Sequence, residues 1–251
     1  MANKKSLDLE NKNNSDIDIV NGILKALYSG PREKLAERLL KRFGSFHGIF
    51  RASREDLLKV EGMTEASAAF FSAAVAEFRQ ALRRAAKDIR LNSEYDMIYY
   101  AVAMDNESTE KYKLYIYTDA SGKIIKYEKI NYDNLKNTVG TACGVNASNV
   151  AVVEYGRRKK KASPDMASLN YTAELIKALN AVGIQFIDYI DYIGYKFCSL
   201  RRAIHGETDY AELRDASKEK YQKTPNFCEE VELYKKNREK SARERAAAQI
   251  R

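Results

Sequence analysis

Two patterns of hydrophobic residues divide the chain near residue 90. Before that point apolar residues recur at helical spacing, as between Leu35 and Phe43, where Pro31 suits the first turn of a helix and Gly44 suits its end. Beyond it, runs of β-branched and aromatic residues alternate with helical stretches. The sequence therefore predicts an α+β protein, in which an all-helical segment precedes a sheet flanked by helices in the order ββαβαββ.

The second segment is predicted to begin with a helix and a hairpin and to continue as alternating helices and strands. The predicted elements are a helix from Ser93 to Met104, hairpin strands from Lys111 to Tyr117 and from Lys123 to Ile130 around the turn Asp119 to Gly122, a helix from Tyr132 to Ala142, a strand from Val150 to Val153, a helix from Pro164 to Val182, and strands from Gln185 to Ile190 and from Tyr195 to Leu200.

The two ends of the chain are polar. The N-terminus, residues 1–21, is polar and rich in Asn and Asp, unlike a signal or transit peptide, and residues 1–15 are predicted to form a disordered tail. Residues 231–250 have helical spacing but few apolar anchors beyond Leu233, which predicts a solvated or partner-dependent helix. We therefore expect a helical domain over residues 16–90, a sheet domain over residues 91–208 and a charged helical extension over residues 209–251.

Charge and composition narrow the range of functions. Most of the formal net charge of +8 lies between residues 21 and 90, where 14 Lys and Arg residues face eight Asp and Glu residues. A basic segment favours a polyanionic partner such as nucleic acid, although a surface made soluble by lysine and arginine has the same composition. The longest apolar stretch, from Ala66 to Ala76, is too short to span a membrane, so we expect a cytoplasmic protein without a membrane partner.

Cysteine and histidine are scarce. Cys143, Cys198 and Cys228 are single and widely spaced, which argues against zinc fingers, thiol redox motifs and a disulfide framework. The two histidines, His47 and His205, lie far apart in sequence. This spacing argues against a histidine-rich metal site and against acid–base chemistry based on histidine.

A tight turn is predicted inside the first segment. A short helix capped by Ser53 leads through Gly62, Met63 and Thr64 into a longer helix from Glu65 to about Lys87. This arrangement resembles a helix–hairpin–helix motif, whose turn leaves backbone N–H groups open to a DNA phosphate. Gly62 permits positive φ, whereas Thr64 replaces the second glycine of the motif and suits a helix cap. An ordinary αα-turn, or a copy used for protein contacts, is the alternative.

The sequence as a whole resembles the RadC family over about residues 20–204. The resemblance rests on the motif LLKVEGM in the first segment and on ALNAVGIQFIDYI followed by SLR in the second. It implies a helix–hairpin–helix domain joined to a three-layer α/β domain of the JAB/MPN metallopeptidase-like type, with a cytidine-deaminase-like fold and a mixed sheet. In the family, an HxH pair and an Asp bind zinc, and a Glu on the hairpin orients or deprotonates the zinc-bound water.

The zinc ligands of that family have no counterparts in this chain. In the register set by Pro164, the two histidines fall at Tyr155 and Arg157, the aspartate falls at Ser168, and the glutamate is retained as Glu128. Tyrosine is a poor zinc ligand, serine is neutral, and arginine repels a divalent cation. The resemblance therefore implies a pseudo-metallopeptidase with a vestigial Glu128 and no cofactor.

Five consecutive basic residues, Arg157 to Lys161, follow Tyr155, the first of the lost ligand positions. They suit a phosphate-rich surface, and Arg157 would stand where the zinc charge lies in the family and pair with Glu128. The alternative is a solvated basic turn that drifted after the ligands were lost. The candidates for DNA contact are therefore Gly62, Met63, Thr64, Arg83, Arg84, Arg157, Arg158, Lys159, Lys160 and Lys161.

Three functions are compatible with these features. The first is a catalytically inactive RadC-like protein that binds DNA or DNA-associated proteins, in the DNA-repair context that the resemblance suggests for a bacterial protein. The second is an interaction scaffold of the inactive MPN type, with a protein partner or a second copy of the chain. The third is a residual hydrolase that uses Glu128 without zinc. A steep loss of DNA affinity with salt would separate the first function from the second.

Overall fold

The computed structural model describes residues 17–18, 20–25, 33–44, 48–49, 52–105, 111–156, 165–193, 196–207, 211–212, 215–221 and 226–249. The chain divides into two compact units, residues 1–83 and residues 84–251. Among the described helices, none is both long and apolar enough to cross a membrane. The predicted tail over residues 1–15 lies outside the described ranges.

The first unit is helical, as its hydrophobic spacing predicts. Its described helices include α1 (Glu33–Phe43), α2 (Arg54–Leu58) and α3 (Glu65–Ala86). Leu35 and Leu39 of α1 pack with Leu57 and Phe71 in one buried cluster, because residues three or four apart share a helix face. Ser53 caps α2 by accepting a hydrogen bond from the Asp56 amide, as predicted.

The second unit combines helices with a mixed sheet, which confirms the α+β class. Its elements in chain order are α4 (Glu94–Met104), β1 (Tyr112–Thr118), β2 (Ile124–Ile130), α5 (Leu135–Gly144), β3 (Asn149–Tyr155), α6 (Met166–Ala181), β4 (Gln185–Ile193), β5 (Lys196–Ser199), α7 (Leu200–Ile204), β6 (Ala211–Glu212) and α8 (Phe227–Gln249).

Over the described residues, the sheet has six strands in the order β2-β1-β3-β4-β5-β6. β3 and β4 are parallel and are joined through α6, whereas the other neighbours are antiparallel. β2 therefore forms one edge. The β1–β2 turn needs Gly122, because its φ is +81° and an added Cβ would collide with the Asn92 side chain.

Helices cover both faces of the sheet. Side chains of α5 and α6 pack against Tyr117, Val152 and Phe186 on one face. On the opposite face, Tyr155 of β3 bonds to the Ala101 carbonyl of α4. The alternation of side chains along each strand separates these two layers.

Two sequence-based expectations need correction. The helix predicted from Tyr132 begins at Leu135, because Asn134 caps it by accepting a hydrogen bond from the Asn137 amide. The helix predicted over residues 231–250 begins at Phe227 and is not wholly solvated, because Phe227 and Val231 are buried in the core of the second unit. Leu233, the predicted anchor, is 61% exposed. Helical spacing around Leu233 did not reveal which face packs.

Candidate functional site

The end of β3 meets the first turn of α6 through a buried carboxylate. Glu154 is fully buried, and its Oε2 accepts a hydrogen bond of 2.9 Å from the Ser168 hydroxyl. Asp165 caps α6 by accepting from the Ser168 amide at 2.8 Å. Glu154, which the sequence analysis did not single out, is thus the β3 residue that faces Ser168.

Two lysines surround this carboxylate. Lys113 of β1 lies opposite Glu154 in the strand register, and its Nζ is 4.0 Å from Glu154 Oε2 and 2.6 Å from Asp133 Oδ2. Lys111 Nζ is 2.5 Å from Glu154 Oε1. We call Lys111, Lys113, Asp133 and Glu154 the lysine–carboxylate cluster. It contains two positive and two negative groups, so buried charges of each sign have partners of the other sign.

The Lys113 ammonium is the buried cation of this cluster. Its side chain is only 10% exposed, and its Nζ also lies 5.2 Å from the centroid of the Tyr171 ring and 5.7 Å from that of Tyr189. Asp133 is held in turn by the Tyr115 hydroxyl, which donates to Oδ1 at 2.7 Å. Carboxylates and aromatic faces both attract an ammonium, so these contacts fix Lys113 in place.

Tyr155, the first predicted ligand position, points to the opposite face of the sheet. Its hydroxyl donates to the Ala101 carbonyl at 2.8 Å, and its ring stacks on Tyr112 with centroids 4.4 Å apart. Burial, followed by the nearby Tyr112 and Tyr192, raises the pKa of Tyr155 well above its usual value. The hydroxyl is therefore protonated at neutral pH, and the structure does not bring it to Ser168.

Glu128, the retained glutamate, lies on β2 with its carboxylate engaged by two donors. The Tyr117 hydroxyl donates to Oε2 at 3.1 Å, and Lys126 Nζ lies 2.8 Å from Oε1. Partial burial alone would raise the pKa of Glu128, but the hydrogen bonds from Lys126 and Tyr117 bring it below its usual value. Glu128 is therefore a carboxylate at neutral pH and an acceptor rather than an acid.

The described residues at the expected zinc positions do not fit a zinc ion. The Ser168 hydroxyl is committed to Glu154, the Tyr155 hydroxyl faces the other side of the sheet, and two ammonium groups neighbour Glu154. Cations so close to a carboxylate oppose the approach of a divalent ion. Within the described ranges, no group of three or more His, Cys, Asp or Glu side chains is placed to hold a metal. Arg157, Arg158, Lys159, Lys160 and Lys161, with the predicted pairing of Arg157 and Glu128, lie outside the described residues.

The turn between α2 and α3 is tight and capped. Gly62 has φ +96°, the left-handed conformation that glycine adopts without strain, and the Met63 amide donates to the Val60 carbonyl at 3.0 Å. Thr64 Oγ1 accepts from the Ser67 amide at 3.2 Å, while Ser67 Oγ accepts from the Thr64 amide at 3.0 Å. Thr64 therefore acts as the predicted helix cap, and Ser67 completes a reciprocal capping arrangement.

Two carboxylates flank this turn and are balanced by arginines of the same unit. Arg38 is 3.2 Å from Glu61, and Arg54 is 2.5 Å from Glu65. Because these pairs are exposed, each contributes little to stability. The other predicted DNA contacts described here, Arg83 and Arg84, are exposed near the end of α3.

A second buried carboxyl lies on β4. Asp188 accepts a hydrogen bond of 2.5 Å from the Ser199 hydroxyl and one of 2.8 Å from the Tyr189 amide. Burial raises the pKa of Asp188 to about 7, although the nearby Arg201 acts in the opposite direction. Asp188 thus titrates near neutral pH in the folded protein.

Lys113, Asp133 and Glu154 were not predicted as site residues from the sequence. A signal existed in β1, where every residue is buried and Lys113 interrupts a run of apolar and aromatic residues. Glu154 likewise follows the apolar run at Val150–Val153. A charged residue inside a strand buried on both faces requires a partner of opposite charge, but the sequence does not say which one.

The fold and site define an α+β protein whose sheet carries a buried ion-pair cluster between the neighbouring strands β1 and β3. No protein-family model matches the chain. The chain is 28% identical over 182 residues to a UPF0758 protein of Coprothermobacter proteolyticus, covering 68% of this chain and 77% of the relative. It is 24% identical over 199 residues to a UPF0758 protein of Cupriavidus taiwanensis, covering 74% and 85%. A UPF0758 protein of Clostridium beijerinckii is 21% identical over 177 residues. UPF0758 denotes the RadC family, so these similarities fit the resemblance drawn from the motifs.

Proposed function

We propose that the chain is a catalytically inactive RadC-like protein of the cytoplasm that binds DNA, or proteins bound to DNA. In this proposal the α2–turn–α3 segment is a helix–hairpin–helix module, and residues 157–161 form a second basic contact. The domain limits at residues 90 and 208, the JAB/MPN assignment and the role in DNA repair belong to the same proposal. The similarity to UPF0758 proteins supports the RadC-like part of this proposal.

The observation that carries the proposal is the lysine–carboxylate cluster. Glu154, which faces the expected ligand position Ser168, is neighboured by the Lys111 and Lys113 ammonium groups. An ammonium there satisfies the buried carboxylate without a metal. Glu128, the expected catalytic residue, is bound by Tyr117 and Lys126. These contacts support a loss of catalysis with retention of the fold.

The capped turn in the basic segment supports the DNA-binding component. Gly62 gives the turn a positive φ, and residues 21–90 carry most of the positive charge. The Met63 and Thr64 amides donate to Val60 and Ser67, so in this proposal the phosphate contacts come from basic side chains and not from open amides of the turn. Contacts of this kind reach the phosphate backbone and do not read base sequence. We therefore expect binding that depends strongly on salt and weakly on sequence.

Equilibrium binding of the full chain to a labelled duplex across a salt series tests the proposal. We expect affinity to fall steeply between 50 and 200 mM salt, with a slope of about −0.9 for each phosphate contact. The double variant Arg83→Ala/Arg84→Ala and the triple variant Lys159→Ala/Lys160→Ala/Lys161→Ala should each bind more weakly and with a shallower slope.

The matched control is Lys236→Ala/Lys240→Ala, which removes two exposed charges from α8. It should bind duplex DNA like the unaltered chain. Absent binding at low salt would overturn DNA binding and favour the interaction scaffold. Equal losses in the control and in Arg83→Ala/Arg84→Ala would overturn the assignment of the contact to α3.

A further inference from the structure

The strand β2 forms one edge of the sheet in the second unit. Among the described residues it pairs with β1 on one side and with no strand on the other. An edge strand of seven residues, about 23 Å long, presents backbone N–H and C=O groups that can pair with a further strand. Ile125 and Tyr127 of β2 are 45% and 48% exposed, so the same edge displays apolar surface. The edge therefore offers both the polar and the apolar contacts of an interface.

Side chains of β2 alternate between the two faces of the sheet. The Tyr127 ring lies on the α4 face, edge-on to the ring of Tyr100 with centroids 6.5 Å apart. Lys126 and Glu128 lie on the other face, where Lys126 Nζ is 2.8 Å from Glu128 Oε1. These two side chains are 42% and 28% exposed, so both are accessible to a strand added at this edge.

We infer that β2 pairs with β2 of a second copy of this chain, antiparallel across a two-fold axis at Tyr127. A two-fold axis perpendicular to the sheet keeps each face on its own side, so only residues of the same face lie opposite each other. With the axis at Tyr127, Lys126 lies opposite Glu128 of the second copy, and Glu128 lies opposite its Lys126. The two Tyr127 side chains meet at the axis as a cross-strand aromatic pair.

The charges of β2 select this register over its neighbours. An axis at Lys126 would place two ammonium groups opposite each other, and an axis at Glu128 would place two carboxylates opposite each other, both of which are destabilising. Lysine on an edge strand ordinarily opposes pairing, so Glu128 is the residue that makes one register favourable. The irregularity in the β1–β2 ladder, at Ile125, lies outside the three central pairs. The strand is thus complementary in charge to a second copy of itself.

This contact goes beyond the proposed function. It uses no residue of the α2–turn–α3 segment or of the basic stretch 157–161, and it needs no DNA.

Sedimentation equilibrium of the full chain without DNA tests the inference. An interface built on one strand is small, so we expect a monomer–dimer equilibrium with a Kd of about 1–100 μM. Lys126→Glu places like charges opposite each other twice in the dimer and should weaken dimerisation at least about tenfold. Lys126→Glu/Glu128→Lys, which exchanges the two charges, should restore it. Lys240→Glu makes the same charge change at a side chain of α8 that is 78% exposed, and this matched control should dimerise like the unaltered chain.

Tyr127→Lys is a second variant that leaves the Lys126–Glu128 pair intact. Tyr127 is half-exposed, so the variant should fold, which circular dichroism checks for every variant. Dimerisation should weaken, because two ammonium groups would then meet at the axis.

Four results would overturn the inference. They are a monomer at every concentration up to about 1 mM, a dimer that Lys126→Glu and Tyr127→Lys leave unchanged, a folded charge-exchange variant that stays monomeric, and an equal loss in Lys240→Glu. If duplex binding persists while any of these is found, only the β2 contact fails. If the dimer forms as described but duplex binding is absent, only the proposed DNA contact fails.

Discussion

Replacing Lys113 by methionine removes the ammonium from the lysine–carboxylate cluster while keeping a side chain of similar length. Lys113 Nζ lies 2.6 Å from Asp133 and 4.0 Å from Glu154, and the lysine is 10% exposed. Breaking a buried ion pair on one side costs about 3–5 kcal/mol, because the remaining charge stays desolvated. Glu154 keeps Lys111 and Ser168 as partners, so we expect the lower end, about 3 kcal/mol.

Lys177 provides a control at the same distance. Its Nζ is also 2.6 Å from a carboxylate, that of Glu232, but its side chain is 57% exposed. Lys177→Met should cost no more than about 1 kcal/mol, because water screens the pair. Thermal unfolding followed by circular dichroism should show a midpoint about 6–12 °C lower for Lys113→Met and a much smaller change for the control.

The double variant Lys113→Met/Asp133→Asn tests the cause of that loss. It should recover part of the stability, because the carboxylate left unpaired by the first substitution is gone. A midpoint for Lys113→Met no lower than that for Lys177→Met would refute the reasoning, since it would mean that the buried ammonium contributes no more to stability than an exposed one.

Other features of the structure make three further predictions. The folded-state pKa of Asp188, about 7, lies above its usual 3.8. The stability that protonated Asp188 contributes is therefore fully present below about pH 4, and up to about 4 kcal/mol of it is lost as the pH rises to about 7. Asp188→Asn should abolish this component, and urea midpoints between pH 4 and 8 that keep the same pH dependence in the variant would contradict it. Gly62→Ala should cost about 1–2 kcal/mol in thermal stability, because φ is +96° there, and an unchanged melting temperature would show that the turn relaxes. Phe227→Ala should cost about 3–5 kcal/mol and Leu233→Ala less than about 0.5, because only Phe227 is buried; equal losses in urea unfolding would mean that α8 packs differently.

Local signals in the sequence predicted most elements of the second unit. The hairpin, the β3 run and the two helices around it follow from periodicity, and the cap at Ser53 follows from residue type and position. The α8 anchors Phe227 and Val231 were missed because two apolar residues in a charged helix do not reveal which face packs on a distant core.

The candidate site was harder to predict, because its partners meet only in the folded sheet. Lys113 and Glu154 are brought together by the β1–β3 register, and Asp133 reaches them from the connection after β2. No sequence spacing encodes such a register. Side chains alternate along a strand, so Glu154 faces α6 and its neighbour Tyr155 faces α4. Tyr155 and Ser168, which are aligned as ligand positions in the sequence, therefore lie on opposite sides of the sheet.

Metal content is the most direct test of the claim that lysines, and not a metal, satisfy the carboxylate beside Ser168. The full chain would be purified without chelators, given excess zinc and desalted, and its zinc measured by elemental analysis alongside its melting temperature. The account predicts far less than one zinc per chain and an unchanged melting temperature. One tightly held zinc per chain that raises the melting temperature, and that is lost in Glu128→Gln or Ser168→Ala, would contradict it.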